Sequence, residues 1–329
     1  MRVLVTGGAG YIGSQMVRQL VENKIEVVVL DSLENGHRAA VPSKVPLLVG
    51  RTGDAKFLDD VFSRYSFDAV MHFAAYLAVK ESVENPSKYF RNNVAHTIEL
   101  LDAMLRFNVK RLVFSSTAAT YGNPTHVPIP EDHIKNPINP YGESKVMVEK
   151  MLGWYDTAYG LKSISLRYFN AAGAPFDGSF GEDHPDEPHI IPLALRAARD
   201  GKAFQLFGDD YPTNDGTCVR DYIHVIDLCA AHLLALGALE RGHATTAYNV
   251  GTGHGYSNRE VALATRRVTG VDFEIKMSPR RPGDPATLVA DSSRLSREFG
   301  WEPRHSDLDT IVHSAWMWHQ EHPEGYEDR

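Results

Sequence analysis

Val5-Thr6-Gly7-Gly8-Ala9-Gly10-Tyr11-Ile12-Gly13 decides how this chain folds. The stretch follows a short apolar run at residues 2–5 and opens a helical pattern over residues 11–22. It satisfies G-x-G-x-x-G from Gly8 and G-x-x-G-x-x-G from Gly7. Glycines between a strand and a helix permit a tight turn, and let backbone N–H groups and the helix N-terminus approach a pyrophosphate. An ordinary strand–helix turn can carry the same glycines, so the context matters. The next apolar run, residues 26–30, ends at Asp31, eighteen residues after Gly13. A carboxylate there accepts hydrogen bonds from an adenosine ribose and repels a 2′-phosphate. That predicts NAD rather than NADP. Asp54, after the third strand, fits either an adenine contact or a helix N-cap.

Outward from this loop, short β-branched runs alternate with helical patterns. Residues 2–5, 26–30, 45–49, 69–73 and 111–115 are mostly continuous apolar runs, as in strands buried on both faces. Between them lie helical patterns at 11–22 and 87–107; in the second, Tyr89, Val94, Ile98, Leu101 and Leu105 keep roughly helical spacing. Such alternation means βαβ crossovers and a parallel sheet. The expected fold is α/β: a Rossmann-type doubly wound parallel sheet with a smaller C-terminal α/β lobe. Residues 1–170 are expected to form the dinucleotide-binding domain, with the chain returning to it around 218–240. Residues 171–329 would form a substrate lobe. The stretch 174–188, rich in Gly, Pro and Asp, reads as a long loop at the boundary. Ligands of open parallel sheets bind beyond the carboxyl ends of the strands, which places the expected cleft there.

Composition narrows the function class. The 329 residues are 43% hydrophobic and 23% charged, ordinary for a globular protein. Forty-two acidic against 34 basic residues give a net charge of −8, the wrong sign for a nucleic-acid binder. No run approaches the ~18 apolar residues of a membrane span; the best, 228–239, is interrupted by His232. Residues 2–5 lead straight into a polar glycine turn, unlike a signal peptide. Cys218 and Cys229 are too few for a disulfide scaffold, so a cytoplasmic protein is expected.

Asn139-Pro140-Tyr141-Gly142-Glu143-Ser144-Lys145 starts a second informative helix, with Asn as cap and Pro in the first turn. Residues four apart share a helix face, so Lys145 can stand beside Tyr141. A free tyrosine has a pKa of about 10 and is a poor base. A nearby ammonium, a helix N-terminus and a cofactor cation would each favour the phenolate. The same spacing occurs at Tyr76 and Lys80, just after the fourth apolar run, where a loop and helix start is the simpler reading. Tyr141 differs because Phe114-Ser115-Ser116-Thr117 sets a hydroxyl at the sheet's carboxyl edge 24 residues earlier.

With the glycine opening, these residues resemble the extended short-chain dehydrogenase/reductase family, and within it the sugar-nucleotide epimerases. Further matching motifs are Arg167-Tyr168-Phe169-Asn170, Phe207-Gly208-Asp209-Asp210-Tyr211-Pro212-Thr213 and Asp215-Gly216-Thr217. Val219-Arg220-Asp221-Tyr222-Ile223-His224-Val225, Arg280-Arg281-Pro282-Gly283-Asp284 and His322-Pro323-Glu324-Gly325-Tyr326 complete the match. The resemblance implies tightly bound NAD and interconversion of UDP-galactose and UDP-glucose through a 4-keto sugar. Tyr141 would be the base, Lys145 would tune it, and Thr117 would hydrogen-bond to O4. It implies NAD contacts at Gly7, Gly10, Tyr11, Ile12, Gly13, Asp31, Asn35, Asp54, Phe73, Ala74, Ala75, Asn92, Tyr141, Lys145, Tyr168 and Phe169. Substrate contacts fall at Thr117, Asn170, His189, Phe207, Arg220, Arg281, Asp284 and Leu288. Arginine forks suit a diphosphate that meets an acidic protein.

Related dehydratases carry an Asp-Glu pair right after the central Thr; here Ala118 and Ala119 stand there, which favours oxidation and re-reduction without elimination. Two departures are Leu77, where some relatives have a lysine near the NAD ribose, and His189, where Asn is frequent. Leu288 (Thr287 if the count slips by one) occupies the position that gates 2-N-acetyl sugars, and its size predicts partial UDP-N-acetylhexosamine activity. A UDP-pentose or UDP-uronic acid 4-epimerase is the same-class alternative, and a non-catalytic nucleotide-sugar sensor the alternative from another class. The family's habit implies a homodimer through helices near 87–107 and 141–158. No metal is expected; His72, His224 and His232 read as structural.

Overall fold

The computed structural model describes residues 1–281 and 284–327. Seven parallel strands form the main sheet: β1 Arg2–Thr6, β2 Glu26–Asp31, β3 Leu47–Val49, β4 Ala69–His72, β5 Arg111–Thr117, β6 Lys162–Tyr168 and β7 Thr246–Val250. Their order is β7-β6-β5-β4-β1-β2-β3. From β1 the chain winds first to one side through β2 and β3, then to the other through β4 to β7. The strand order therefore reverses beside β1, where such sheets open a crevice for ligands. The register sets Thr6 against His72 and Leu30, so the ends of β1, β2 and β4 lie level. Gly7 and Phe73 leave the sheet side by side.

The continuous apolar strands are explained by the two layers of helices. On β1, Val3 and Val5 pack on one side with Met16 and Leu20 of α1 (Tyr11–Glu22), while Leu4 packs on the other with Leu58 and Leu100. Those two leucines belong to α2 (Ala55–Arg64) and α3 (His96–Arg106). The helix α4 (Pro140–Tyr159) adds Val148 and Leu152 to the second layer. Truncating a leucine such as Leu4 to alanine would cost about 2–5 kcal/mol.

Three elements depart from the expected pattern. The third strand begins only at Leu47, because Val45 is held in a turn by its N–H to the Pro42 carbonyl and is followed by Pro46. The pattern at 87–107 is not one helix. A short helix, Pro86–Tyr89, passes into a π-helical turn, Phe90–Ala95, before α3. There Asn93 is turned inward: its amide exchanges hydrogen bonds with the Tyr76 backbone and donates to Ser144 Oγ at 3.1 Å. Third, the returning chain runs past the expected window. Ile190–Asp200 (α5) leads through the lobe to Val225–Glu240 (α6), which packs on α1, and then β7 adds the seventh strand.

The remainder contains α5, α7 (Asn258–Thr269) and α8 (Leu308–Glu321), joined through Ile191, Leu195, Val261 and Ile311. Short strands form two small sheets separate from the main one: Asn170–Ala172 pairs Tyr222–His224, and Val219–Arg220 lies between Tyr256–Ser257 and Thr287–Leu288. Residues 174–189 hold no regular element, as their composition predicts. Cys218 and Cys229 are buried and unpaired with each other. Among the described residues, no helix is long and apolar enough to cross a membrane.

Candidate active site

The glycine loop is tight where the sequence requires it. Gly7 has φ +72, and a Cβ there would lie 2.5 Å from the Ala74 nitrogen. At Gly13 a Cβ would lie 2.0 Å from the Gly7 carbonyl oxygen, whereas at Gly10 the same oxygen would be 3.5 Å away, an ordinary contact. Gly10 caps α1 without a side chain, so no protein group occupies the first-turn amides from the cap position. At the end of β2, Asp31 is buried; Oδ2 accepts from the Ala9 N–H at 2.9 Å and Oδ1 from Leu33 at 2.8 Å. Burial raises the Asp31 carboxyl above its ordinary value, against these two amides. An uncapped helix start, clearance at Gly10 and a fixed carboxylate at the second strand together fit NAD. Phe73, Ala74 and Ala75 continue β4 over the loop, with the Phe73 N–H on the Thr6 carbonyl at 2.9 Å. Asn35 is exposed. Asp54 is exposed as well and caps α2 through the Phe57 N–H at 3.0 Å. Asn92 lies in the π-turn and donates to Asn93.

The ends of β5 and α4 build the reactive side. Asn139 caps α4 by accepting from Gly142 at 2.8 Å, which aims Tyr141 and Lys145 at β5. Lys145 is buried; its Nζ donates to the Ser115 carbonyl at 2.8 Å and lies 6.0 Å from the Tyr141 ring centre. Burial pushes Lys145 down to about 7, with Glu149 opposing. Burial raises the Tyr141 phenol above its ordinary value, and a hydrogen bond with Thr117 lowers it. At Tyr141 burial therefore outweighs the Thr117 hydroxyl. Thr117 also accepts from Ala119 at 3.2 Å, so it is at once cap and phenol partner. Tyr168 stands across from Thr117 in register and shares a hydrogen bond with Ser115 Oγ.

One ion pair beneath this group has no separate signal in the sequence. Arg167 forks onto Glu149 at 2.8 and 2.7 Å and donates to Tyr121 Oη at 2.8 Å, while Ser116 Oγ donates to Glu149 at 2.6 Å. It ties α4, one turn past Lys145, to β5 and β6. Its only trace is Glu149 four residues after Lys145.

The residues expected at the substrate end fall into two groups. Arg281 stacks on Phe207 at 4.0 Å, and Arg220 lies 3.8 Å from Asp284 beside Leu288, its register partner. Pro282 and Gly283 of this turn lie outside the described residues. Asn170 follows β6 and donates to the Asp221 carbonyl at 3.0 Å. His189 stands apart. Its Nδ1 faces Glu182 at 2.6 Å and Glu187 at 3.2 Å. Burial lowers its pKa, but the two carboxylates win and raise it to about 10. A substrate contact would use the other ring nitrogen. His72 lies between Thr6 and Thr97 hydroxyls, His224 meets Ser314, and His232 meets the Leu228 carbonyl.

Residues 3–251 match the model of the NAD dependent epimerase/dehydratase family. The chain belongs to that family. It is 52% identical over 330 residues, covering 100% of both chains, to a UDP-glucose 4-epimerase of Lacticaseibacillus casei. The structure of UDP-glucose 4-epimerase from Brucella ovis in complex with NAD is 46% identical, with a TM-score of 0.93 over 96% of this chain and 97% of that one. That from Bifidobacterium longum, in complex with NAD+ and UDP, is 36% identical, with a TM-score of 0.94 over 99% and 100%. Both of these epimerase structures hold NAD, the cofactor of the family.

Proposed function

We propose that the protein is a UDP-glucose 4-epimerase, interconverting UDP-galactose and UDP-glucose with NAD held throughout. The observation that carries this reading is Tyr141 on the capped first turn of α4, set against Thr117 at the carboxyl end of β5, with Lys145 fixed beside it. NAD, held by the glycine loop and Asp31, would supply the hydride acceptor that returns the same hydride. Tyr141 takes the proton of the sugar 4-hydroxyl and later gives it back, general acid–base chemistry in both directions. Thr117 holds the same oxygen. Lys145, whose pKa burial lowers to about 7, can carry positive charge as the phenol ionises. Ala118 and Ala119 place no acid after Thr117, which leaves the 4-keto sugar intact.

In this reading residues 1–170, with α6 and β7, hold NAD, and the remainder holds the UDP-sugar. Arg220 and Arg281 meet the diphosphate, Asp284 a ribose hydroxyl, and Asn170, Phe207, His189 and Leu288 the rest. NAD contacts comprise the loop Gly7–Gly13 with Asp31, Asn35, Asp54, Phe73, Ala74, Ala75, Asn92, Tyr168 and Phe169. The chain works in the cytoplasm, where its two buried thiols stay reduced. It forms a homodimer through α3 and α4, where Ile98, Met147 and Trp154 are exposed, Trp154 to 71%. Incubating the protein with UDP-galactose, first without and then with added NAD, tests the reading. Formation of UDP-glucose with no net NADH is expected; no conversion under either condition would defeat it.

A further inference from the structure

In the loop that leads into α5, four side chains converge that the reaction does not need as a group. Glu182, His184, Glu187 and His189 each bring one ligand atom, all within 4.8 Å of one another. His184 Nδ1 lies 3.6 Å from Glu182 and 3.3 Å from Glu187, and His189 Nδ1 lies 2.6 and 3.2 Å from the same two carboxylates. A tetrahedral zinc ion with bonds of about 2.0–2.1 Å separates its ligands by about 3.3 Å. With one oxygen from each carboxylate (His184 meets Oε2 of Glu187, His189 its Oε1), the 3.6 Å distance and either Glu187 distance lie near that value, and the 2.6 Å one is shorter.

The second observation is an orphan. Glu182 is 6% exposed, and its buried Oε1 makes no hydrogen bond of full geometry; its partners are the His189 and His184 rings, at 2.6 and 3.6 Å. A buried carboxylate oxygen left unmatched is costly. The nearest alternative cation is Arg196, 3.9 Å from Glu187 and 3.8 Å from Asp183, and no ion pair links it to Glu182.

The geometry points to a closed divalent-metal site of the zinc type, formed by Glu182, His184, Glu187 and His189. Four protein ligands and no open position make it a structural site. It would pin the boundary loop. Asp183, between two ligands, already accepts from the Tyr326 N–H at 3.0 Å, and His37, whose own N–H binds Ala9 in the cofactor loop, meets the Asp183 carbonyl at 3.2 Å. A metal here would fasten the cofactor loop, the lobe and the C-terminal tail at one point.

The test is zinc stoichiometry by mass spectrometry after expression with zinc and exhaustive dialysis against metal-free buffer. One zinc per chain is expected, and Glu182→Gln and His184→Asn should each weaken zinc binding to chelator-stripped protein by at least about tenfold. A zinc content well below one, or one zinc held equally by both variants, would overturn the site. Cobalt-loaded wild type guards against variants that do not fold. Visible bands of tetrahedral cobalt without a thiolate charge-transfer band support the site, and their absence refutes it.

Discussion

Tyr76 and Lys80 repeat the spacing of Tyr141 and Lys145, and the two regions could hardly differ more. Tyr76 precedes its helix, Val79–Glu84; its hydroxyl donates to Glu34 at 2.9 Å, and its ring lies under the Lys88 ammonium at 4.3 Å. Lys80 is 90% exposed on its side chain and lies 3.8 Å from Glu84. Tyr141 and Lys145 both sit inside α4, whose capped start presses them against the end of β5. A spacing of four names a helix face; only what that face is buried against makes it chemistry. Asn93 joins the regions, holding the Tyr76 backbone and Ser144 with one side chain.

The largest expected effect comes from exchanging the roles in this comparison. Tyr141→Phe should fold and bind NAD but lose between about 10² and 10⁴ in kcat, the range of a general acid–base group. Tyr76→Phe removes the hydroxyl's bonds to Glu34 and its contact with Arg51, and should turn over like wild type. Equal damage from both, in steady-state assays with UDP-galactose, would mean that the wrong tyrosine has been assigned.

Next come the lysines. Lys145→Met should lower kcat on the order of 10², through misplacement of the reacting groups as well as lost charge, whereas Lys80→Met should not. A second readout separates charge from shape. Burial lowers Lys145 from 10.5 unfolded to about 7 folded, so between these values the folded chain binds fewer protons than the unfolded one. Its contribution to stability therefore rises with pH across that window, and the penalty is complete below about pH 7. The melting temperature of NAD-free wild type, relative to Lys145→Met, should climb from pH 7 to 10. A flat difference would show that Lys145 is not held near neutral pKa.

Asp31 belongs to the cofactor half of the cleft. Asp31→Asn removes the charge set against a 2′-phosphate and keeps one of the two bonds to Ala9 and Leu33, since its amide nitrogen cannot accept. The preference for NAD over NADP in cofactor-stripped enzyme should fall at least tenfold, about 1.4 kcal/mol. An unchanged preference would place the discrimination elsewhere.

What could be read in advance depended on how local its cause was. β1, the glycine turn and α1 are contiguous, and steric need at Gly7 and Gly13 leaves glycine as the visible mark. Tyr141, Lys145 and the Asn139 cap lie within seven residues. Three features depend on distant neighbours. The π-turn exists because Asn93 reaches Tyr76 and Ser144; β7 joins the sheet only because β6 offers an edge; Glu149 meets Arg167 across two elements. The four residues near His189 fall between these cases. Their spacing, Glu-x-His-x-x-Glu-x-His, is plain in the sequence, but in a stretch rich in Gly, Pro and Asp it passes for a loop.

The smallest expected effect is one of selectivity. Counting along the chain leaves Leu288 or Thr287 as the gate to the sugar's 2-substituent, and the sheet distinguishes them. Thr287 pairs with Val219 and Leu288 with Arg220 in a parallel ladder. Partners in register point to the same face, and neighbours along a strand to opposite faces. If Arg220 faces the substrate's diphosphate, Leu288 shares that face and Thr287 does not. Leucine is shorter than tyrosine, so an N-acetyl group should enter, although its amide must find partners or bind at a cost. UDP-N-acetylgalactosamine should therefore be a substrate with lower kcat/KM than UDP-galactose. Leu288→Tyr should reduce the N-acetyl reaction by about tenfold, the scale on which a pocket rejects a bulky group, and leave UDP-galactose turnover nearly unchanged. Thr287→Tyr is the control on the opposite face. Selective loss in Thr287→Tyr, or equal loss of both reactions in Leu288→Tyr, would remove Leu288 from the gate while leaving the assignments of Tyr141 and Thr117 intact.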